Sequence, residues 1–459
     1  MEKYLLSDIA KYIGGNLYGK DKLVSSFSID SRTISNGDVY ICIKGKNYDG
    51  HDFIRDCIKK SSCIITSKDI DNINLSEKSY IKISDTVKAL QDISQYVRNK
   101  SNAKFIAITG SNGKTTVKEM VAHILSDYKI SYTKGNLNNH IGVPLTLLSI
   151  NQDEDFVIVE IGSNNLGEIE PLAKIVRPDV AAVTNIGYAH IEGFKNLNNT
   201  AKEKFSLFKH IQKDGYTVIN NQDKFRNILK RGNKIYFGYS KNFYNKIKKI
   251  LRNILYETNF LTIRKIKKNV FTMEYKQTRE SLNLNLNGDH NFMNAGCAIS
   301  IAISLGIKIE EIKKKLETFE AISSRLKLHK LGNNINIIDD CYNANPSSFK
   351  AAISFLSTID QNKLVLMGDM VELGKDSDAF HLEIGKYAKK MGVNKFLSIG
   401  KNSKSASDVF GTDGHHFIDA ESLKSYLNNN LEPSTCILIK GSRSSKLEEY
   451  VKFLKTRSY

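Results

Sequence analysis

Short apolar runs alternate with helix-length segments through the middle of the chain. From residue 103 onward the strand-like runs are KFIAIT, KISYT, DFVIVEIG, DVAAVTNIG and YTVINN. A helix is predicted to begin at Lys114, because apolar residues recur after it at three- and four-residue spacing and share one face. These residues are Val117, Met120, Val121, Ile124, Leu125 and Tyr128. Strands that alternate with helices predict a mostly parallel sheet covered on both faces.

The pattern changes on either side of this segment. The first eighty or so residues hold shorter runs, VYICIKG, SCIITS and SYIKIS, which predict a small mixed α/β module. Residues 235–287 turn polar and β-like and end in the alternation Leu282, Leu284, Leu286, which predicts an antiparallel flap or edge. INIIDD, KLVLMGD, KFLSIG, HHFID and CILIKGS then resume the strand–helix alternation. We therefore predict an α/β fold with domains at 1–84, 85–323 and 324–459.

Length and composition agree with this division. A chain of 459 residues is too long for one ordinary core. Its apolar share of 41% and charged share of 25% are ordinary for soluble globular proteins. The start, MEKYLLSDIAKYIGG, lacks the apolar run of a secretion signal, and no later stretch approaches membrane-spanning length. We expect a cytoplasmic protein without membrane insertion.

The cysteines and the net charge exclude few classes of function. Six cysteines are scattered with no C-x-x-C pair, which argues against a zinc site and a disulfide scaffold and favours reduced, buried thiols. The formal net charge of +18 suits a nucleic-acid binder or an enzyme with anionic substrates. Lysine is in excess at 241–253, where we expect a solvated helix face. Because Lys and Asn are abundant throughout, the charge alone supports no function, and we expect no nucleic-acid partner.

The most specific local signal is TGSNGKTT at residues 109–116, between the strand KFIAIT and the predicted helix. Turn N–H groups, the positive helix end and the Lys114 ammonium converge on phosphate in such a loop, and the Thr115 hydroxyl is placed for Mg²⁺. The full G-x-x-x-x-G-K pattern would have glycine where this chain has Ile108, so the loop is a variant form. The predicted ATP-binding residues here are Gly110, Ser111, Asn112, Gly113, Lys114, Thr115 and Thr116.

Polar residues that end later strands are candidates for the rest of the site. Glu160 ends DFVIVEIG, where a buried carboxylate is costly unless it meets a cation or hydrogen bonds, so we expect a metal role. His190 also follows a strand, although a lone histidine is more often a satisfied hydrogen-bonding residue than a ligand. IDDCYNANPSS at 338–348 and GDHNFMNA at 288–295 suit either a ligand site or a plain helix start.

Together these stretches resemble the Mur ligase family, the ATP-dependent enzymes that build the peptide stem of bacterial peptidoglycan. The resemblance runs nearly end to end, through DSRTISNGDVYICIKGKNYDGHDFI, ITGSNGKTTVKEM, TKGNLNNHIGVPLT, VEIGSNNLGEI, RPDVAAVTNIGYAHIEGF, GDHNFMNA, IDDCYNANPSS, GDMVELG and IKGSRSSKLEEY. IDDCYNANPSS and GDMVELG are similar to the member that joins D-alanyl-D-alanine to UDP-MurNAc-tripeptide. The resemblance implies a UDP-precursor-binding module, a central P-loop-type ATP-binding ligase domain and a C-terminal Rossmann-like domain, using ATP and Mg²⁺. We expect a monomer.

The resemblance also implies roles for single positions. Lys114 holds the β- and γ-phosphates, Thr115 and Glu160 bind one Mg²⁺, and His190 serves a second. In the family a lysine carbamylated by CO₂ helps to bind that second metal, and the frame AKEKFSLF points to Lys204 rather than Lys202. The other positions are Asn291, Arg325 and Asp340 for the nucleotide, Ser31, Arg32, Asp49 and His51 for the uridine end, and Asn138, Asn139, Asn343 and Asn345 near the joining substrates.

The implied reaction activates a carboxylate as an acyl phosphate, which the dipeptide amine then attacks. Carboxylate and γ-phosphate are both anionic, so Mg²⁺ and Lys114 must offset their repulsion. Because different domains bind the substrates, we expect the third domain to close on ligand binding. Two alternatives stay open. A folylpolyglutamate synthase shares the central and C-terminal plan but lacks a module resembling residues 1–84, and only the charge favours a non-catalytic basic nucleotide-binding protein.

Overall fold

The computed structural model of the chain describes residues 3–70, 78–227, 233–239 and 259–457. Over these ranges the strands form sheets of two, five, nine and six strands. The three larger sheets follow one another along the chain, which confirms an α/β fold with mostly parallel sheets. The segment 241–253, predicted as a solvated helix face, lies outside the described residues.

The N-terminal unit is built on the five-stranded sheet, in the order β2-β7-β6-β5-β4. Strands β4 to β7 pair in parallel and β2 joins β7 antiparallel, while β1 and β3 form a separate antiparallel pair. Helix α3 packs against α1 on one side and against α5 and α6 of the central unit on the other. The elements are β1 (Tyr4–Leu5), α1 (Leu6–Ile13), β2 (Asn16–Tyr18), β3 (Leu23–Val24), β4 (Ser26–Ser28), β5 (Asp38–Ile41), α2 (Ile54–Lys60), β6 (Cys63–Thr66), β7 (Ser79–Lys82) and α3 (Thr86–Lys100).

The central unit carries the nine-stranded sheet, in the order β16-β15-β14-β13-β12-β11-β8-β10-β9 within the described ranges. Pairing is parallel from β9 to β14 and antiparallel from β14 to β16. The elements are β8 (Lys104–Thr109), α4 (Lys114–Ile124), β9 (Ile130–Tyr132), α5 (Gly142–Leu148), β10 (Phe156–Glu160), α6 (Ile169–Val176), β11 (Val180–Val183), α7 (Ile191–Phe194), α8 (Leu197–Phe205), β12 (Tyr216–Asn220), β13 (Asn233–Tyr239), β14 (Phe260–Lys267), β15 (Val270–Tyr275), β16 (Thr278–Asn283), α9 (His290–Ser304) and α10 (Ile309–Glu317).

Two predictions about this unit need correction at their ends. Helix α4 ends at Ile124, and Tyr128 lies beyond it, 40% exposed, because the chain turns where the Tyr128 N–H donates to Leu125 O. The predicted antiparallel edge is confirmed as β14–β16, yet β16 ends at Asn283 and only Leu282 of the alternating leucines belongs to it. Packing buries all three leucines, so their spacing reflects a shared core rather than one continuous strand.

Alternate residues of β8 separate the two cores of the central sheet. Ile106 and Ile108 belong to the core beneath α4 and α9, whereas Phe105 and Ala107 belong to the core on the opposite face. Successive side chains of a strand point to opposite faces, so a strand apolar at every position must be covered on both sides. This confirms the doubly covered sheet, and it fixes the loop after Thr109 at one edge of two packed layers.

The C-terminal unit holds the six-stranded sheet, in the order β17-β18-β22-β19-β20-β21. All pairs are parallel except β17 with β18. The elements are β17 (Lys327–Lys330), β18 (Asn336–Asp340), α11 (Pro346–Ser357), β19 (Asn362–Gly368), α12 (Ser377–Lys390), β20 (Lys395–Ile399), α13 (Lys404–Phe410), β21 (Gly414–Phe417), α14 (Ala420–Asn430), β22 (Thr435–Lys440) and α15 (Glu448–Lys455). The five strands predicted here are thus present.

The thiol prediction is also confirmed. Cys42, Cys57, Cys63, Cys297, Cys341 and Cys436 are all buried and free.

Over the part of the chain that the structure describes, no helix combines the length and apolarity that crossing a membrane requires.

Candidate nucleotide and metal site

The turn between β8 and α4 approaches its neighbours so closely that two positions require glycine. Gly110 has a φ of +148°, and a Cβ atom there would lie 2.0 Å from Thr184 Oγ1. Gly113 has a φ of +81°, and a Cβ atom there would lie 2.3 Å from Asn294 Oδ1. Only glycine meets both the conformation and the lack of space. The turn is therefore held between the end of β11 and helix α9.

The end of β11 also determines which backbone donors remain available. The Ser111 N–H donates to Asn185 O at 2.9 Å, and the Asn112 N–H donates to Asn185 Oδ1 at 3.1 Å. These two groups, expected from the sequence to face phosphate, are already paired. The first N–H groups of a helix have no intrahelical acceptor. The donors left for an anion are therefore those of Gly113 and of the first turn of α4, from Lys114 to Thr116.

Lys114 has no ionic partner in direct contact among the described residues. Its Nζ donates to Gly110 O at 2.9 Å, and its pKa lies below the usual lysine value because it is desolvated by burial. Nearby Glu160 counteracts this lowering of the pKa, and Arg325 adds to it. A phosphate bound at the loop would supply the missing negative charge.

Glu160 is the second unusual group of the site. The residue is 2% exposed, and its Oε1 accepts a hydrogen bond from Asn138 Nδ2 at 2.8 Å. Its Oε2 is buried and has no hydrogen-bond partner in the part of the chain that the structure describes. A buried carboxylate oxygen in this state is costly unless a cation reaches it. The residue therefore fits a divalent cation that prefers oxygen ligands.

The composition of the site favours Mg²⁺ over a metal that proteins enclose completely. Among the described residues, no group of three or more His, Cys, Asp or Glu side chains is gathered to hold a metal. Mg²⁺ commonly takes only one or two carboxylates and completes its shell with water and phosphate. The Thr115 hydroxyl lines the same cavity as Glu160, and it accepts a hydrogen bond from Arg325 Nη2 at 3.0 Å.

His190 begins the short helix α7 with a left-handed backbone φ of 53°. Its Nδ1 lies in contact with Oε2 of Glu372 in the C-terminal unit. Its ring meets the ring of Phe194 edge-on, with 6.4 Å between centroids. The contact between His190 and Glu372 could not be predicted from the sequence, because Glu372 is distant in the chain.

Lys204 lies behind the cavity wall and is 1% exposed. Its Nζ donates to Ser163 Oγ at 2.7 Å and lies 5.1 Å from the centroid of the Phe194 ring. Burial first, and then the charge of Lys114, place the pKa of Lys204 well below the usual lysine value. Glu203 and Glu168 oppose this lowering of the pKa without cancelling it. The amine therefore has a larger uncharged fraction than an exposed lysine.

One cavity of about 1240 Å³ gathers most of the predicted residues and takes its lining from all three units. The predicted residues that line it are Ser111, Asn112, Gly113, Lys114, Thr115, Thr116, Asn138, Asn139, Glu160, His190, Asn291, Arg325, Asp340, Asn343 and Asn345. Gly110 supports the loop from beneath, and Lys204 reaches the wall through Ser163. The residues predicted for the uridine end, Ser31, Arg32, Asp49 and His51, do not line this cavity.

Those uridine-end residues form local networks in the N-terminal unit. Arg32 Nη2 and Nε contact the Asp30 carboxylate at 2.7 and 2.9 Å, and the hydrogen bonds from Arg32 lower the pKa of Asp30 to about 2. His51 Nδ1 lies 2.6 Å from Asp49 Oδ1, while its Nε2 accepts the Ser67 N–H at 3.2 Å. Hydrogen bonding to His51 holds the pKa of Asp49 well below its usual range.

Asn345 and Asn139 combine capping with a place at the cavity. Asn345 caps α11 through a capping box, and its Nδ2 donates to Asn112 Oδ1 at 2.7 Å. Asn139 Oδ1 accepts the Gly142 N–H at 2.9 Å at the start of α5. The helix-start and ligand-site interpretations of IDDCYNANPSS are therefore compatible.

GDHNFMNA begins helix α9, as the helix-start interpretation predicts, with Asp289 at the N-cap position. Asp289 makes no side-chain cap to α9, because Lys265 Nζ takes both of its carboxylate oxygens at 2.7 Å.

Asn291 is 6% exposed, and its Nδ2 donates to Asn287 O at 2.7 Å. Apolar residues line the cavity around it, which suits a flat nucleobase. They are Leu286, Met293, Phe319, Ile322 and Leu326.

Several lining residues were missed by the sequence analysis. Lys440 is 2% exposed, pairs with Oδ2 of Asp340, and donates to Asn343 O at 3.0 Å. It ends an apolar strand, which is the same signal that selected Glu160. Tyr342 has the Arg325 guanidinium 4.2 Å above its ring centroid. Lys46, Gln91 and His290 also line the cavity, and nothing local in the sequence distinguishes them.

Three α/β units that share a cavity at a phosphate loop define a class, the multidomain nucleotide-binding proteins. Family models narrow it further. Residues 23–112 match the model "Mur ligase family, catalytic domain", residues 108–302 match "Mur ligase middle domain", and residues 324–443 match "Mur ligase, glutamate ligase domain". The chain belongs to the Mur ligase family.

Individual relatives match almost the whole chain. The UDP-N-acetylmuramoyl-tripeptide–D-alanyl-D-alanine ligase of Escherichia coli (strain K12) is 34% identical over 458 residues, which cover 98% of each chain. The crystal structure of MurF from Acinetobacter baumannii superposes with a TM-score of 0.89 at 28% identity, covering 100% of both chains. MurF from Thermotoga maritima in complex with ADP shares the fold, with a TM-score of 0.81 at 22% identity over 94% of this chain and 97% of that one.

Proposed function

We propose that the chain is an ATP-dependent ligase that joins D-alanyl-D-alanine to UDP-MurNAc-tripeptide, giving UDP-MurNAc-pentapeptide for peptidoglycan synthesis. The E. coli relative bears this activity in its name and matches nearly all of the chain. The observation that carries the proposal is the phosphate loop placed with Glu160, whose Oε2 is buried without a partner, in a cavity shared by three units.

The phosphate end of ATP is held by the first turn of α4 and by Lys114. Thr115 and Glu160 hold one Mg²⁺, which when bound offsets the negative charge shared by the phosphates and the attacking carboxylate. Asn138 orients the Glu160 carboxylate through Oε1 and leaves Oε2 for the cation. Arg325 links the C-terminal unit to this point through Thr115. These contacts preorganise charge at the position where the γ-phosphate is transferred to the tripeptide carboxylate.

A second Mg²⁺ position involves His190 and carbamylated Lys204. The uncharged amine of Lys204 adds to CO₂, so that an N–C bond forms and one proton leaves. The product is an anion, whereas the unmodified side chain is either a neutral amine or an ammonium cation. Lys114 lowers the pKa of Lys204 by repelling its ammonium form, and the same charge attracts a carbamate. Modification thus reverses an unfavourable interaction in the buried wall.

The remaining residues bind the two molecules to be joined. Ser31, Arg32, Asp49 and His51 hold the uridine end of the precursor in the N-terminal domain, proposed at 1–84. Asn138, Asn139, Asn343 and Asn345 contact the peptide partners between the domains proposed at 85–323 and 324–459. Asn291, Arg325 and Asp340 bind the nucleoside part of ATP. The protein acts as a monomer.

The test is phosphate release by the purified full chain with ATP and Mg²⁺. UDP-MurNAc-tripeptide with lysine or diaminopimelate as its third stem residue is supplied with and without D-alanyl-D-alanine. The product is identified from its mass by mass spectrometry. We expect dipeptide-dependent phosphate release and a pentapeptide product with one of the two precursors. Phosphate release that ignores the dipeptide and responds to a folate and glutamate would instead favour the folylpolyglutamate synthase alternative.

A further inference from the structure

Glu372 occupies a strained position in the loop that follows β19. Its φ of 62° lies in the left-handed region, which side chains of this kind rarely adopt. The loop is pinned just before Glu372, because the Met370 N–H donates to His381 Nε2 and the Val371 N–H donates to Ser442 Oγ, both at 2.9 Å. Strain that the surroundings enforce in this way often marks a functional position.

The strained loop contacts the central unit through Glu372. Oε2 of Glu372 is in close contact with Nδ1 of His190, a buried nitrogen that has no other hydrogen-bond partner among the described residues. In the same contact the Glu192 N–H donates to Glu372 O at 3.1 Å. The rings of Tyr188 and Phe380 lie beside it with centroids 5.5 Å apart. The C-terminal unit therefore delivers a carboxylate to the segment 188–192.

The position of this carboxylate matters because a histidine has two ring nitrogens. A metal-binding histidine usually donates the N–H of its other nitrogen to a carboxylate or carbonyl, which fixes the tautomer and ring orientation and raises the basicity of the ligand. With Glu372 at Nδ1, His190 keeps Nε2 for a metal. Phe194 restricts the ring from another side. The pair supplies the carboxylate and the histidine of a carboxylate–histidine–metal arrangement, one from each of two domains.

We infer that Glu372 is a positioning residue that orients His190 for metal binding, and that it does so only when the C-terminal unit is docked. The inference rests on the proposed function, since it assigns a partner to a proposed metal ligand. Docking then completes the metal site as well as the cavity. An open arrangement leaves His190 without its carboxylate, so the second metal position binds weakly until the domains close.

The experiment measures Mn²⁺ binding, by electron paramagnetic resonance, to the full chain with ADP present. Glu372→Ala removes the carboxylate, and Glu372→Gln keeps an acceptor of the same size without the charge. The matched control is Glu383→Ala, because Glu383 lies in the same domain, pairs with Lys350 at 2.6 Å, and does not line the cavity. We expect Glu372→Ala to weaken one Mn²⁺ site about 10-fold to 100-fold, Glu372→Gln to fall between, and the control to match the parent.

One further measurement and one further variant separate a loss of metal binding from a loss of folding. Circular dichroism melting verifies the fold of each variant, and Glu372→Gly serves if the alanine variant unfolds, because glycine adopts a φ of 62° without strain. A folded Glu372→Ala or Glu372→Gly protein that binds Mn²⁺ as the control does overturns the inference. If the parent binds Mn²⁺ but does not join D-alanyl-D-alanine to either UDP-tripeptide, the proposed function is wrong. The comparison of Mn²⁺ binding between the variants still decides the role of Glu372.

Discussion

Replacing Lys204 with methionine tests the most unusual group of the site. Lys204 is 1% exposed, and methionine keeps its unbranched apolar stem while removing the amine. Burial and Lys114 place the folded-state pKa of Lys204 well below the usual value, so the unfolded chain binds the proton more tightly. The parent protein therefore loses stability as the pH falls below the unfolded lysine pKa of about 10.4. Lys204→Met should remove this dependence.

The size of the effect follows from one proton. A group that is protonated only in the unfolded state changes the free energy of unfolding by about 1.4 kcal/mol per pH unit. Between pH 9 and pH 7 the variant should gain at most roughly 3 kcal/mol relative to the parent. Glu203 and Glu168 oppose the pKa shift, which makes this value an upper bound. Ligation should be lost in the same variant, because no carbamate can form.

The assay is urea unfolding in CO₂-free, metal-free buffer at pH 7, 8 and 9. The chain has no tryptophan, so far-UV circular dichroism reports the transition. Lys202→Met is the matched control, since Lys202 lies exposed on the same helix α8. Bicarbonate should then stabilise the parent and leave Lys204→Met unchanged. A stability difference that stays constant from pH 7 to 9 would refute the lowered pKa, and full ligation by Lys204→Met would refute the carbamate.

Three more outcomes are expected. Glu160→Gln should abolish Mg²⁺-dependent phosphate release, because a neutral amide replaces the carboxylate proposed to hold the cation; Mg²⁺-dependent release at the rate of the parent contradicts this. Asn345→Ala should cost about 1 kcal/mol through the lost cap of α11 and raise the KM for ATP through the lost contact with Asn112, with unchanged KM as the adverse result. Burial lowers the pKa of His381, so protonation favours the unfolded chain. The urea concentration at the unfolding midpoint should therefore decrease more steeply in the parent than in His381→Gln as the pH is lowered from about 6.5; equal pH dependence in the two proteins contradicts this.

The chemistry of the phosphate loop could be predicted from the sequence because its signals are local. A strand, a turn with glycines at 110 and 113, and a helix beginning at Lys114 follow one another within a few residues, and the structure has them in that order. Glu160 was found because a carboxylate at the end of an apolar strand needs a partner wherever the strand packs. Patterns of neighbouring residues carry this information.

What only the tertiary structure decided involves residues far apart in the chain. Strand β22 lies between β18 and β19, so Lys440 reaches Asp340 across 100 positions. Domain docking places Glu372 at His190 and Asn345 at Asn112. On α8, Lys202 is exposed and Lys204 is buried, a difference set by Phe194 and Ser163. Such contacts depend on sheet order and on domain packing, which hydrophobic spacing along the chain does not encode.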